Sequence, residues 1–215
     1  MTRRIVIGIS GASGVIYGVK MLRLLQDKEF EVHLIISEAG KANIEIETNY
    51  RASDVEAMAD YVYDNKDVGA AISSGSFLTE GMVVVPCTIK TLSGIANSYT
   101  TNLLVRAADV TLKEKRKLIL MVRETPLHKG HLRLMTIAAD MGAHILPPIP
   151  SFYHQPKTLD DIINQSIGKA FDYLGIEHDL FRRWGESRRK RVDSTRKAIL
   201  SGGQRDDSTS LSEEG

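Results

Sequence analysis

Arg4-Ile5-Val6-Ile7-Gly8-Ile9-Ser10 is a β-branched, apolar run that ends in Gly11-Ala12-Ser13-Gly14, and an apolar-periodic stretch begins at Val15. The order is strand, small-residue turn, helix. Such a turn lets backbone N–H groups approach an anion, and the helix N-terminus adds partial positive charge. The opening therefore predicts an α/β fold and a phosphate ligand together.

The dinucleotide fingerprint is Gly-x-Gly-x-x-Gly, with an acidic residue about 20 positions on. Here the glycines stand at Gly8, Gly11 and Gly14, which is the wrong spacing. The second strand, Glu31 to Ser37, ends in Ser37, and Glu38 comes one residue late. A dinucleotide is set aside and a monophosphate favoured. Alternatively, the glycines serve only close helix–strand packing, but Ser10 and Ser13 are hydroxyls that a packing turn does not need.

Outward from this stretch, apolar runs alternate with amphipathic ones. Strands are expected at 4–10, 31–37, 82–86, 117–122 and 143–147. Helices are expected at about 15–27, 38–47, 54–63, 88–98, 102–114, 131–141 and 158–174. Near-continuous runs such as Val83-Val84-Val85 fit strands buried on both faces. The alternation implies a doubly wound parallel sheet. Residues 64–81 (with Ser73-Ser74-Gly75-Ser76) and the proline-rich 147–157 read as long, functional loops. The expected organisation is one domain over 1–185, a basic helix or tail over 186–200, and a disordered tail over 201–215.

Composition bounds the function. The chain has 215 residues, 42% apolar and 26% charged, with a net charge of +1. That describes a globular protein with no global support for nucleic-acid binding. Cys87 is the only cysteine, which fits a reducing cytoplasm. No run approaches a membrane span, and the first residues enter a strand rather than a signal peptide.

In open parallel sheets, ligands bind beyond the C-terminal strand ends. Those ends carry Gly11 to Gly14, Ser37, Pro86-Cys87-Thr88-Ile89-Lys90-Thr91, Arg123-Glu124-Thr125-Pro126, and the loop with Tyr153 and His154. Hydroxyls, helix N-termini and an arginine on one rim suit a phosphorylated ligand with a flat ring. No metal site is expected. His128 and His131 have no ligand-like partners and read as surface or capping residues. Cys87, between a strand and a helix N-terminus, is expected to be a small wall residue of the site, in a position that lowers a thiol pKa. No Gly-x-Ser-x-Gly elbow is present.

Taken together, Gly-Ile-Ser-Gly-Ala-Ser-Gly (8–14), Pro-Cys-Thr-Ile-Lys-Thr-Leu-Ser-Gly (86–94), Arg-Ala-Ala-Asp-Val (106–110), Leu-Lys-Glu (112–114), Arg-Glu-Thr-Pro-Leu-His (123–128) and Phe-Tyr-His-Gln-Pro (152–156) are specific. On these the chain resembles the flavin prenyltransferase family. The resemblance implies a Rossmann-like, flavodoxin-related α/β/α fold. It implies a metal-independent transfer of a dimethylallyl group from dimethylallyl monophosphate to N5 and C6 of reduced FMN. The product, prenylated FMN, serves a partner aromatic-acid decarboxylase. Members assemble as homododecamers with active sites at subunit interfaces.

Carried over by residue, the resemblance implies flavin contacts at Gly11, Ala12, Ser13, Ser37, Thr88, Ile89, Lys90, Thr91 and Arg123. It implies prenyl-phosphate contacts at Arg106, Lys113, Arg123, Tyr153 and Lys169, and catalytic roles for Ser13, Glu47, Lys113 and Glu124. Cationic and hydroxyl donors would stabilise the departing phosphate, and Glu47 would handle the proton lost from C6. Position 169, often arginine in relatives, is lysine here, and Val68 stands where some relatives have tryptophan. Without the resemblance, Arg106 and Lys113 read as surface ion pairs, Glu47 as a solvated acid and Tyr153 as loop packing. Two other functions compete. One is an FMN-dependent cysteine decarboxylase, expected to need a histidine that residues 38–50 lack. The other is a non-catalytic FMN-carrying subunit, against which the cations at Lys113, Arg123 and Lys169 argue.

Overall fold

The computed structural model describes residues 2–185; the expected basic segment 186–200 and tail 201–215 lie outside the described residues. Residues 2–181 form a first compact unit. The first carries one parallel sheet in the order β3-β2-β1-β4-β5-β6. The strands are β1 (Arg4–Ile9), β2 (Glu31–Ile36), β3 (Tyr61–Tyr63), β4 (Gly81–Cys87), β5 (Lys117–Val122) and β6 (His144–Ile145). This is the Rossmann order, and its topological switch falls between β1 and β4.

Alternation along the strands divides the core. Ile5, Ile7 and Ile9 face one layer, packed with α1 (Val15–Gln26), α2 (Glu38–Glu47), α3 (Ala52–Glu56) and α7 (Leu159–Leu174). Val6, Met82 and Val84 face the other, with α4 (Ile89–Ala96), α5 (Leu103–Lys113) and α6 (Lys129–Asp140). Phe171 of α7 is fully buried in the first layer. Burying each such side chain contributes about 1.5–3 kcal/mol.

The expected helix at 54–63 is corrected. α3 ends at Glu56, and residues 61–63 are the edge strand β3. The cause is Asp60. Its backbone N–H donates to the Val32 carbonyl (3.1 Å) and its carboxylate accepts from the Val32 N–H (2.7 Å). That pair docks the chain on β2, and the β-favouring Tyr61-Val62-Tyr63 continues as a parallel strand. The long segment 64–81 holds a 3-10 turn at Ala71–Ser73 and ends at Gly81, the first residue of β4.

Candidate functional site

Ser10 joins the two strands that flank the switch point. Its hydroxyl donates to the Pro86 carbonyl (2.8 Å) and accepts from the Thr88 N–H (2.8 Å). Ser37 caps α2 by accepting from the Gly40 N–H (3.1 Å), and Thr88 caps α4 by accepting from the Thr91 N–H (3.0 Å). Gly11 is required by close approach, since a Cβ there would lie 2.3 Å from that of Ala39. Between these loops opens a cavity of about 840 Å³. Of the expected flavin contacts, Gly11, Ser37, Thr88, Lys90 and Thr91 line it; Ala12, Ser13, Ile89 and Arg123 do not.

The backbone donors around this cavity differ from those expected. At α1 the N-terminus is not open, because Glu47 Oε2 accepts from the N–H groups of Gly14 (2.7 Å) and Val15 (3.2 Å). Gly14 takes φ 93°, a left-handed conformation that aims both groups at the carboxylate. Glu47 is therefore not a freely solvated acid. Asn43 also donates to the Gly11 carbonyl (3.0 Å), so α2 fixes the whole 11–15 turn. Open donors also stand at α2 and α4. The N–H groups of Glu38 and Ala39 on α2, and of Ile89 and Lys90 on α4, have no partner among the described residues. At the far wall α5 is closed. Asn65 accepts from Leu103 N–H through its carbonyl (2.8 Å) and from Leu104 N–H through its side chain (3.0 Å). Asn102 caps Val105 (3.0 Å). Asn102 stands at the start of the expected helix 102–114; nothing in the local sequence marks Asn65.

The expected cations do not gather in one protomer. Arg123 follows the C-terminal end of β5, where its N–H donates to the Cys87 carbonyl (3.1 Å). Lys113 precedes the other end of β5, in an ion pair with Glu114 (2.7 Å). Six strand residues separate the two ends, about 20 Å at 3.3 Å per residue. Lys169 lies in the last turns of α7, 3.8 Å from Asp172. That helix ends at Leu174, whose carbonyl accepts from Lys117 (3.2 Å) at the start of β5. Lys169 thus lies toward the Lys113 end. Arg106 pairs with Asp109 (3.2 Å), Tyr153 is partly exposed in the 147–157 loop, and the Glu124 carboxylate accepts from the Thr125 N–H (3.0 Å).

Cys87 is corrected as well. It is fully buried in the α4–α6 layer and does not line the cavity. Burial pushes its thiol well above the ordinary range, the reverse of activation. His128 caps α6 by accepting from the Gly130 N–H (3.0 Å), with the His131 ring 3.6 Å away between centres. Among the described residues no group of three metal-ligating side chains comes together, and no helix is long and apolar enough to cross a membrane.

Residues 1–169 match the family model described as Flavoprotein. The chain is 56% identical over 193 residues to the flavin prenyltransferase UbiX of Thauera aromatica, covering 90% of this chain and 100% of that one. The structure of AnUbiX (PadA1) in complex with FMN and dimethylallyl pyrophosphate superimposes with a TM-score of 0.84 at 44% identity, covering 86% of this chain and 98% of that one. The dodecameric FMN-dependent UbiX-like decarboxylase of Escherichia coli O157:H7 gives a TM-score of 0.82 at 46% identity, with 84% and 98% covered.

Proposed function

This chain belongs to the flavin prenyltransferases of the Flavoprotein family, and from that membership we propose how its own residues perform prenyl transfer to FMN. The observation that carries the reading is the pair of open helix N-termini, α2 and α4, with the Ser37 and Thr91 hydroxyls beside them on one cavity, the Thr88 hydroxyl being donated to Thr91 Oγ1 (3.0 Å). Four N–H groups and two hydroxyls suit one phosphate monoester. Their chemistry fits FMN, whose phosphate the α2 and α4 N-termini would hold. Reduced FMN, when bound, supplies the electron-rich ring that accepts the five-carbon group.

The remaining steps fall to the protein. Allylic C–O cleavage leaves a phosphate anion, and Arg123, Lys113, Arg106, Tyr153 and Lys169 supply its counter-charge and hydrogen bonds. Because β5 holds Arg123 and Lys113 about 20 Å apart, these groups act on one phosphate only when two copies of the chain meet. That supports a homo-oligomeric, dodecamer-like assembly with composite sites, in line with the dodecameric homologue. Glu47, fixed on Gly14 and Val15 next to Ser13, receives the ring proton. Glu124 orients the Arg123 loop. The donor is dimethylallyl monophosphate, in a site whose homologue AnUbiX was captured with the pyrophosphate. The product passes to a prenylated-FMN-dependent decarboxylase in the cytoplasm.

The test incubates the protein with reduced FMN and either dimethylallyl phosphate, then weighs the flavin. A gain of one five-carbon unit supports the reading, and the two donors separate mono- from diphosphate use. Unchanged flavin with both ligands bound would favour the non-catalytic carrier.

A further inference from the structure

Among the described residues, two side chains lining the cavity carry charge, Lys90 and Glu38. Glu38 is the first residue of α2, directly after the Ser37 cap, and its own N–H is one of the four open donors. A carboxylate therefore stands at the mouth of the site that the proposed function assigns to a phosphate. Lys41, one turn on, offsets it only in part, because its ion pair is with Glu56 (2.8 Å) and Glu38 is a weaker, secondary neighbour. An acid in the first turn favours the helix itself. Toward a phosphate dianion a few ångströms away, the same charge is repulsive.

We propose that Glu38 is an affinity-setting residue that deliberately loosens the site's hold on the flavin phosphate, so that the phosphorylated product leaves. This rests on the reading of the cavity as the FMN phosphate site. The chemistry gives it a purpose. Prenylation changes the ring and leaves the phosphate ester untouched, so substrate and product grip the protein by the same group. The product must then reach a second protein. A site of two helix N-termini plus Lys90 with no opposing charge would retain both; Glu38 lowers its net positive charge. Product release often limits turnover in such enzymes.

The experiment compares wild type with Glu38→Gln and Glu38→Asp, titrating FMN and riboflavin by flavin fluorescence at low and at physiological salt. Prenyl transfer is also measured in single and multiple turnovers. Expected for Glu38→Gln is FMN binding tightened about fivefold, less so at higher salt. Riboflavin, lacking the phosphate, should bind unchanged. Steady-state turnover should slow by a larger factor than single-turnover transfer. Glu38→Asp keeps the charge and should stay close to wild type. FMN affinity unmoved by Glu38→Gln, or FMN and riboflavin shifted by the same factor, would show a helix-stabilising role only and overturn the proposal. A wild-type chain that binds riboflavin as tightly as FMN would instead overturn the phosphate-site reading, and this inference with it.

Discussion

The Glu47 carboxylate lies 2.7 Å from the backbone nitrogen of Gly14, so the end of α2 caps the start of α1. This contact, with that to Val15, places an acid beside Ser13 and occupies two of the N–H groups at the start of α1. Glu47→Gln keeps an acceptor for the two N–H groups but removes the base. Prenyl transfer should fall by 10²-fold or more, with FMN affinity changed less than about threefold. Glu47→Ala should in addition lose about 1 kcal/mol of stability through the missing cap. Single-turnover kinetics and denaturant melts separate the two effects.

Lys113→Ala and Arg123→Ala should each inactivate the enzyme when every copy carries the change. Co-expressed in one cell, the two variants should recover activity, because a site drawing Arg123 from one copy and Lys113 from another can still be complete. Random mixing predicts about a quarter of wild-type activity. No recovery in mixed oligomers verified by mass spectrometry would place both residues in one protomer's site, against the strand length between them.

Cys87 should be inert. Its buried thiol, pushed up by desolvation, should resist alkylation in the native protein at pH 8 and react only after unfolding. Cys87→Ala should retain prenyl transfer within about twofold. Mass spectrometry before and after denaturant reads the first outcome.

Stability should decline in mildly acidic solution because of His33. This buried histidine bonds Glu31 through Nε2 and the Tyr63 hydroxyl through Nδ1, both at 2.9 Å. Burial is the main cause that pulls its pKa below the usual value, partly opposed by the hydrogen bond to Glu31. The unfolded chain therefore takes up this proton first as pH falls through the ordinary histidine range near 6.5, and folding stability drops there. Glu31 adds a second loss at lower pH, since the Arg4 guanidinium foremost holds its carboxyl below the ordinary range. In His33→Gln the decline between pH 7 and 5.5 should flatten, while the loss below pH 4.5 persists. Thermal melts across pH measure both.

What was legible in the sequence followed from continuous patterns. β1, β4 and β5 are uninterrupted apolar runs buried on both faces, and α1, α5 and α7 carry long apolar periods. Ser37 and Thr88 stood out at strand ends as site residues, and the structure shows that they also cap α2 and α4. β3 was missed because three residues are too few for a period, and Asp60, whose two bonds to Val32 create the strand, looks like any surface acid. Cys87 misled because position after a strand says nothing of which layer receives the side chain. Asn65 lies in a loop whose contact with α5 is remote in sequence. The cations were recognised as a set, but a shared motif set does not say at which end of β5 each one stands.

That separation bears on how the protein tolerates change. Lys113 sits on an outer surface of its own fold, where substitutions ordinarily pass unnoticed. Here a lesion would spare the site of the copy that bears it and silence that of a neighbour. In a mixed population activity would then fall in proportion to the share of defective chains, with each loss appearing in a neighbour rather than in the copy at fault.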